Sequence, residues 1–600
     1  MVINGTHEYD VVIMGAGFAG VCQARHLLLN VPNIKIALID PRPEERTNKD
    51  LKIGESMVEI AALFVCKELG LYEYMIENHP PKYALNFHWA KDPNKTETIN
   101  DYYHVWANRQ FPIGTFQMNR AKFERDLLKM NKEMGVIFYQ GRVIDIDITP
   151  EDDLNTVQVK MVGGEYHQLK AKHVVDAAGR KFIIGRKTDN LLFGPENLFG
   201  VDTGSAWVRV KNVDRTIFHN GYDPYGATCS HYYATNHWFG HGHWLWMIPT
   251  EKDSQEISIG IAQHRSVIPD NHINTQEKFY AFLKANHNIL YRLVTSGENV
   301  DFHYLPRVSH TSKTMFSKDN WYVVGDSACI FDPFYSLGTT MITFALESIT
   351  EIVRAKLAGE TDAEEKRVAY NDFNLTYTRL NNHLIEHHDR QLGNASIMSW
   401  RIYGEYMWWF GIQIPLYVGK WHLDPGFISR YVPKVKANLK GYWHHLYQQF
   451  NQLVEQKKNI GFMDAHRTDQ LIWGYHTLKH FDDFIENTKL EPRRCNVFAG
   501  IKATSFYTAI WYAKFLWKGF GPSAFINRKN LFYLFEHIIG AIQAAITELV
   551  YKYLTKGLPD NSQIEQMRQE FTNYRYQAKL NSWIEEDAAN TIKKVLSMSK

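Results

Sequence analysis

Six residues near the start of the chain, Gly15-Ala16-Gly17-Phe18-Ala19-Gly20, have the types and spacing of a phosphate-binding turn. They follow Tyr9-Asp10-Val11-Val12-Ile13-Met14, which reads as a buried parallel strand, and lead into a helix from Val21 to Leu29. In that setting Gly15 allows the tight turn, Gly17 lets the backbone approach a pyrophosphate, and Gly20 lets helix pack on strand. The helix N-terminus favours the phosphate charge. Ile34 to Ile39 reads as a second strand, and Asp40 at its end would take a ribose hydroxyl. The reading is a dinucleotide site; the plainer alternative is a glycine turn joining strand to helix.

Other segments bear on which dinucleotide. A polar loop leads to Ile53-Gly54-Glu55-Ser56 and a helix to about Leu71, where nicotinamide enzymes usually continue alternating strand and helix. Gln117-Met118-Asn119-Arg120 opens a helix that could place Arg120 near the cofactor. Val174-Val175-Asp176-Ala177-Ala178-Gly179 returns the chain to the nucleotide module. Trp321-Tyr322-Val323-Val324-Gly325-Asp326 is another buried strand, ending in a carboxylate that can accept a ribityl hydroxyl. The combination points to FAD, although each segment alone is an ordinary strand end or helix start.

Three further stretches could carry reactive chemistry. The loop from Cys329 to Gly338 runs into a helix from Thr339 to Leu357, stopped by Gly359. Amides of Leu337, Gly338 and Thr339 then sit at a helix N-terminus, where unpaired donors and the macrodipole attract an anion such as a halide. An ordinary helix start is the plain alternative. Lys82 follows the rigid His79-Pro80-Pro81. Its ammonium donates hydrogen bonds and its neutral amine is a nucleophile, and burial would lower its pKa toward the range where both forms occur. Read alone, it is a solvated turn residue. Gly242-His243-Trp244-Leu245-Trp246-Met247-Ile248-Pro249 reads as a buried strand with Trp244, Trp246 and Ile248 on one face, and His241, His243, Leu245 and Met247 on the other. Residue type by itself favours core indoles there.

Together these residues resemble the flavin-dependent halogenases, within the larger group of FAD monooxygenases. The glycine turn, Ile53 to Ser56, Val175 to Gly179, Gly325-Asp326 and Asp332-Pro333 are shared with the whole group, whereas Trp244 to Pro249 looks like a halogenase in particular. The resemblance covers roughly Glu8 to Gly359. It implies an α/β fold: a Rossmann-type FAD module of the monooxygenase kind (GR2/PHBH-like), an inserted mixed β-sheet substrate domain, and a helical C-terminal region. The expected boundaries are 1–385 for the FAD module, interrupted by sheet segments at about 83–118 and 198–308, and 386–600 for helices covering the substrate side. FAD, used as FADH2 from a separate flavin reductase, is expected on Gly15 to Gly20, Asp40, Ile53, Gly54, Glu55, Ser56, Arg120, Val143, Gly325, Asp326 and Pro333. Chloride or bromide is expected on Leu337, Gly338 and Thr339. The oxidised halogen is expected to reach Lys82 as hypohalous acid, with Trp244, Trp246, Ile248 and Pro249 as a partition between flavin and substrate.

Departures narrow the substrate. Tryptophan halogenases carry a glutamate in the loop before the halide site, and here Tyr335 falls in its place. The resemblance is therefore closer to the branch acting on phenols or pyrroles, and a phenol or polyketide-derived polyphenol is expected, free or on a carrier protein. An FAD-dependent aromatic hydroxylase, needing neither halide nor Lys82, is the alternative reading, followed by a non-catalytic FAD-binding protein.

The scaffold that must position these residues is large. Six hundred residues, 45% hydrophobic and 14% aromatic, support two or three domains with a sizeable core. With 67 basic and 65 acidic residues there is no field to gather nucleic acid. The start lacks a secretory signal, no run suggests a membrane span, and five scattered cysteines fit a reducing cytoplasm without disulfides. Thr361-Asp362-Ala363-Glu364 reads as a capping box opening a helix to about Arg390. Beyond it come Trp400, Trp408, Trp409, Trp421, Trp443 and Trp473, in helices broken at Pro415, Pro425 and Pro433; they are a core by default and an aromatic lid as the alternative. Leu531 to Leu554 reads as an amphipathic helix on a core, with membrane-surface attachment a minor alternative, and Gln563 to Leu580 as a solvated terminal helix. His241 with His243, His387-His388 and His444-His445 lack a completing carboxylate or thiol, so no metal site is expected.

Overall fold

The computed structural model describes residues 5–45, 53–82, 85–105, 115–148, 154–218, 234–251, 256–418, 420–463 and 508–554. Two sheets organise them. In the first, Ile137–Asp147, Ile36–Asp40, Gly5–Met14, Tyr166–Asp176 and Trp321–Val323 lie side by side in parallel. Asn155–Met161 joins the far ends of Ile137–Asp147 and Tyr166–Asp176 as an antiparallel ribbon. Val11 to Met14 and Ile36 to Asp40 are buried on both faces, which is why they read as continuous apolar runs rather than alternating ones.

The second sheet has seven strands in the order Glu298–Leu305, Thr203–Lys211, Ile257–His264, His243–Pro249, Thr235–Gly240, Leu85–Ala90 and Tyr102–Val105. Its pairings are antiparallel except for Thr235–Gly240 with Leu85–Ala90. The double-tryptophan strand is its centre and is buried on both faces, in the alternation expected from its period of two. Trp244, Trp246 and Ile248 join the main core shared with the first sheet. Leu245 and Met247 join a second core under helices Gln276–Asn286 and Asn288–Ser296. Trp246 fits only because Gly260 stands opposite it; a Cβ there would come within 2.1 Å of the indole.

Helices complete the fold. Phe18–Asn30 packs beneath Leu337–Leu357, tied by a Gln23 to Thr350 hydrogen bond of 2.8 Å. Arg120–Glu133 is capped by the Asn119 side chain. Several expected boundaries move. The strand at 321 ends at Val323, and Gly325 turns out of it with a left-handed φ of +63°. The helix after Ser56 is Glu59–Leu63 continued by a wider turn over Phe64–Glu68, followed by a separate Tyr72–Asn78. No capping box forms at Thr361: Ala363–His383 starts without a side-chain cap and stops short of Arg390, where His387 turns left-handed. Pro433 does not break its helix, Pro425–Lys440; it and Ser429 lie on the exposed side, where the carbonyl that the proline leaves unbonded is open to solvent. The late apolar helix, Arg528–Leu554, is seated on the core along one face through Asn530, Tyr533 and His537. Phe532, Phe535, Ile538, Ile539, Ile542 and Ile546 are exposed on the other side, so the expectation of a helix simply laid on a core is half right. Trp473, Cys229, Cys495 and the Gln563 to Leu580 segment lie outside the described residues. No described helix is long and apolar enough to cross a membrane.

Candidate active site

A cleft of about 720 Å³ opens at the C-terminal ends of the parallel strands. Gly15, Gly17, Phe18, Ala19, Asp40, Ile53, Arg120, Val143, Gly325 and Asp326 line it. The glycine turn is sterically locked. Gly15 has φ of +104°, and a Cβ on it would meet the Ala177 carbonyl at 2.4 Å. A Cβ on Gly20 would fall 1.8 Å from the Gly15 carbonyl oxygen. Gly20 therefore acts by closeness of helix to turn and does not face the cleft.

Asp40 is already engaged: it accepts the Ala16 amide at 2.8 Å and a two-pronged contact from Arg42 at 2.9 Å. Arg42 also lines the cleft and was missed from sequence, although its place two residues beyond the acid was a readable signal. Glu124 links this corner to Arg120, accepting from its guanidinium at 2.9 Å and from the Phe18 amide at 3.0 Å. Arg120 in turn donates to the carbonyls of Ile53 and Gly54 and stacks over the Phe18 ring. The cleft thus offers glycine backbone, the positive side chains of Arg42, Arg120, Arg142, Arg180 and Lys181, and the carboxylates of Asp40 and Asp326, a set that suits a dinucleotide. Glu55, Ser56 and Pro333 do not line it. Glu55 instead pairs with the fully buried Arg209 of the second sheet at 3.2 Å, and Ser56 bonds Thr235 there at 3.1 Å.

The anion-binding candidate lies where Tyr335 and Ser336 both take left-handed φ, 60° and 58°, before the helix begins at Leu337. Two such residues in succession are strained. The loop is held from both sides: Asp332 accepts the Phe334 amide and the Trp244 indole, each at 2.9 Å, and the Tyr335 hydroxyl donates to Glu405. Burial pushes the Asp332 carboxyl up to about 6, opposed by those two donors. Gly338 is exposed at the start of the helix and Thr339 bonds back to the Ser336 carbonyl. Trp244 therefore braces the loop, stacking edge-on against Phe334, while Trp246 donates to Ser258. Neither indole lines the cleft or the passage described next.

A narrow apolar passage runs from Leu337, past Tyr335, Tyr406, Trp408 and Trp409, to Glu59. Lys82, whose charge acts on Glu59 through the buried interior, lies just outside that lining on the Pro81–Lys82 strand paired with Thr115–Phe116. It is 7% exposed and donates to the Met57 carbonyl at 3.0 Å. Burial lowers its pKa to about 8, against the pull of Glu59. Glu59 accepts the Trp409 indole at 2.8 Å, and burial raises its pKa, against Lys82. Glu59 was not foreseen: nothing in its local sequence marks it, because its partners lie 23 and 350 positions away. Of the C-terminal tryptophans, Trp408 and Trp409 reach this passage, whereas Trp400 and Trp421 are core.

One cluster of metal-ligand type, His26, Glu68 and Glu347, occurs among the described residues. The Lys420 ammonium already sits on it, 2.6 Å from Glu347 and 2.9 Å from Glu68.

The tryptophan halogenase family pattern matches residues 113–392. The chain is 40% identical over 596 residues to the flavin-dependent halogenase chlA of Dictyostelium discoideum, spanning 96% of this chain and 98% of that one. It is 26% identical over 352 residues to the 1H-pyrrole-2-carbonyl-(peptidyl-carrier protein) chlorinase of Pseudomonas fluorescens, over 56% of this chain and 73% of that one. The solved structure of halogenase PltM in complex with phloroglucinol and FAD shares the fold with a TM-score of 0.56 at 16% identity, over 84% of this chain and 96% of that one. The similarity to the Dictyostelium protein extends well past Gly359, so the helical region is part of the same architecture.

Proposed function

The chain belongs to the flavin-dependent halogenases, FADH2-dependent enzymes that act on aromatic rings, and we propose that its own substrate is a phenol or polyketide-derived polyphenol halogenated at Lys82. Such enzymes need a flavin reductase to deliver FADH2. Bound in the cleft, FADH2 would supply the oxygen activation needed to oxidise chloride or bromide to hypohalous acid.

The chain's own residues do the rest. The glycine turn, Arg42 and Arg120 would hold the dinucleotide, with Asp40, fixed by its bonds to Ala16 and Arg42, as the acceptor for the ribose. The strained loop places the first amides of Leu337–Leu357 for the halide, and Trp244, through Asp332, fixes that loop. The observation that carries the reading is the apolar passage from Leu337 to Glu59 beside a buried lysine. A small neutral oxidant such as hypohalous acid suits it; a charged one would pay heavily for the apolar wall. At its end the Lys82 ammonium donates to the oxygen of the oxidant, making the halogen more electrophilic.

Support for a phenol comes from Tyr335 standing where a tryptophan halogenase has its acid, and from PltM, whose complex holds phloroglucinol. The test mixes the enzyme with a flavin reductase, FAD, oxygen, bromide or chloride, and a panel of phenols, free pyrroles and carrier-bound pyrroles, and reads products by mass spectrometry. Halogen isotope patterns on phenols are expected. Oxygenated products without halogen would identify a hydroxylase, and halogenation confined to the carrier-bound pyrrole would move the substrate to the class named for the Pseudomonas relative.

A further inference from the structure

We propose that Glu59 is the proton acceptor of the halogenation step, taking the ring hydrogen while Lys82 protonates the departing oxygen. The proposal rests on the reading of Lys82 as the end point of hypohalous acid, and it answers a question that reading leaves open, namely which group takes the ring proton.

Two carboxylates line the passage, and their surroundings separate them. Glu405 is saturated: Arg401 at 2.9 Å and Tyr447 at 3.1 Å bond one oxygen, and the Tyr335 hydroxyl bonds the other at 2.6 Å. Arg401 is itself fully buried, so Glu405 is its counter-ion and the anchor of the Tyr335 loop. Glu59 has the Trp409 indole and its own backbone amide, and its further neighbour is the Lys82 ammonium. The remaining titratable group facing it is Tyr406, whose pKa burial raises well above the ordinary tyrosine value, so it stays neutral. Glu59 is thus a carboxylate in the passage lining that is oriented by the Trp409 indole and its own backbone amide yet retains accepting capacity. Burial raises its pKa and Lys82 opposes the rise, which makes its carboxylate a stronger base than that of a surface glutamate.

The step balances. The carbon–halogen bond forms as the halogen–oxygen bond breaks, and the oxygen leaves as water with the proton from Lys82. The ring carbon then loses its hydrogen to the Glu59 carboxylate, and the electron pair of that bond restores the aromatic ring. This leaves a neutral amine beside a carboxylic acid, and transfer of the proton from Glu59 to Lys82 resets the pair for the next turnover. Hypohalous acid and arene give haloarene and water, with no further reactant.

The experiment uses the full-length enzyme with a flavin reductase, FAD, oxygen, bromide and resorcinol, either protiated or ring-deuterated. Hypohalous acid is followed in parallel by trapping with an added thiol. Glu59→Gln is expected to leave trapped oxidant unchanged, to lower the rate of bromination about 10²-fold, and to expose a primary isotope effect on ring deuteration absent in the unsubstituted enzyme. Glu59→Asp should recover part of the rate. Trp409→Phe, which removes only the orienting donor, should give a smaller loss with the same isotope effect and guards against a Glu59 variant that fails to fold. Unchanged bromination by Glu59→Gln, or a loss without an isotope effect in any variant, overturns the assignment. Absence of trapped oxidant from the unsubstituted enzyme would instead defeat the halogenase reading of the site, so the two failures are distinct.

Discussion

Glu347 and Glu59 are both buried carboxylates with a lysine nearby, and their surroundings could hardly differ more. Glu347 accepts from Lys420 at 2.6 Å, from His422 at 2.7 Å and from the Tyr417 hydroxyl at 2.9 Å, while Lys420 also reaches Glu68. Burial pushes Glu347 up, but Lys420 and His422 outweigh it and hold the carboxyl well below the usual range; Lys420 is correspondingly held charged despite its burial. Near Glu59 the balance is reversed: burial wins, raising the acid and lowering Lys82 to about 8. Three donors converge on Glu347 and tie Leu337–Leu357 to Tyr417, Lys420 and His422. A pair short of partners, at the end of a passage, can exchange protons. Counting donors around each carboxylate therefore separates a brace from a reactive pair where residue types alone do not.

The strongest break in this contrast is Lys82→Ala, which should abolish halogenation, by about 10³-fold or more if lysine supplies acid catalysis and positioning together. Flavin oxidation should continue, read as oxygen uptake beside product formation by mass spectrometry; retained halogenation would move the end point elsewhere. Next is Glu347→Gln, expected to cost about 3–5 kcal/mol of stability by stranding Lys420 and His422, seen as a lower denaturation midpoint, with halogenation per folded molecule nearly intact. Loss of halogenation in a fully folded Glu347→Gln enzyme would erase the distinction between the two pairs. Trp244→Phe deletes the indole bond to Asp332 and should raise the halide KM several-fold, in line with about 1–3 kcal/mol for a buried acceptor losing its donor; steady-state kinetics against bromide would check it. The smallest effect is on pH. Lys82 has a lowered folded pKa, so the unfolded chain binds more protons between about 8 and 10.5. Its contribution to stability therefore grows as pH rises across that window and is absent below it. Glu347 has a lowered folded pKa too, but as an acid its contribution is present above the ordinary glutamate value near 4.5 and fades as pH falls below it. Denaturation midpoints of Lys82→Met and Glu347→Gln against pH should flatten in these two separate windows.

Much of the first sheet was legible because its strands advertise themselves. Val11 to Met14 and Ile36 to Ile39 are apolar on both faces, and the glycines between them have one steric solution. The double-tryptophan strand was legible for the same reason, and its alternation sorted Trp244 and Trp246 into one core and Leu245 and Met247 into another. The use of those indoles was harder to see: Asp332 is 88 residues from Trp244, and no local pattern announces that bond. Glu55 was read as a cofactor neighbour from its motif, yet its partner is Arg209, found only once the second sheet is assembled. The capping box at Thr361 failed because matching letters do not ensure cap geometry. Glu59 is the clearest case: an acid on a short helix becomes chemically interesting only when Lys82 and Trp409 arrive from distant segments.

The Glu55–Arg209 pair has a mechanical consequence. It ties the segment that lines the dinucleotide cleft at Ile53 to the second sheet with both side chains fully buried, and Ser56 with Thr235 and Asn119 with Glu251 fasten the same seam. Prising that segment from the sheet would strand a guanidinium and a carboxylate out of water, at a cost of several kcal/mol, so the seam behaves as a weld rather than a hinge. Substrates cannot gain admission by opening the molecule along it. Whatever breathing lets an aromatic ring approach Lys82 has to come from the opposite wall, where Trp408 and Trp409 are carried on helices that no such ion pair fixes to the double-tryptophan strand among the described residues.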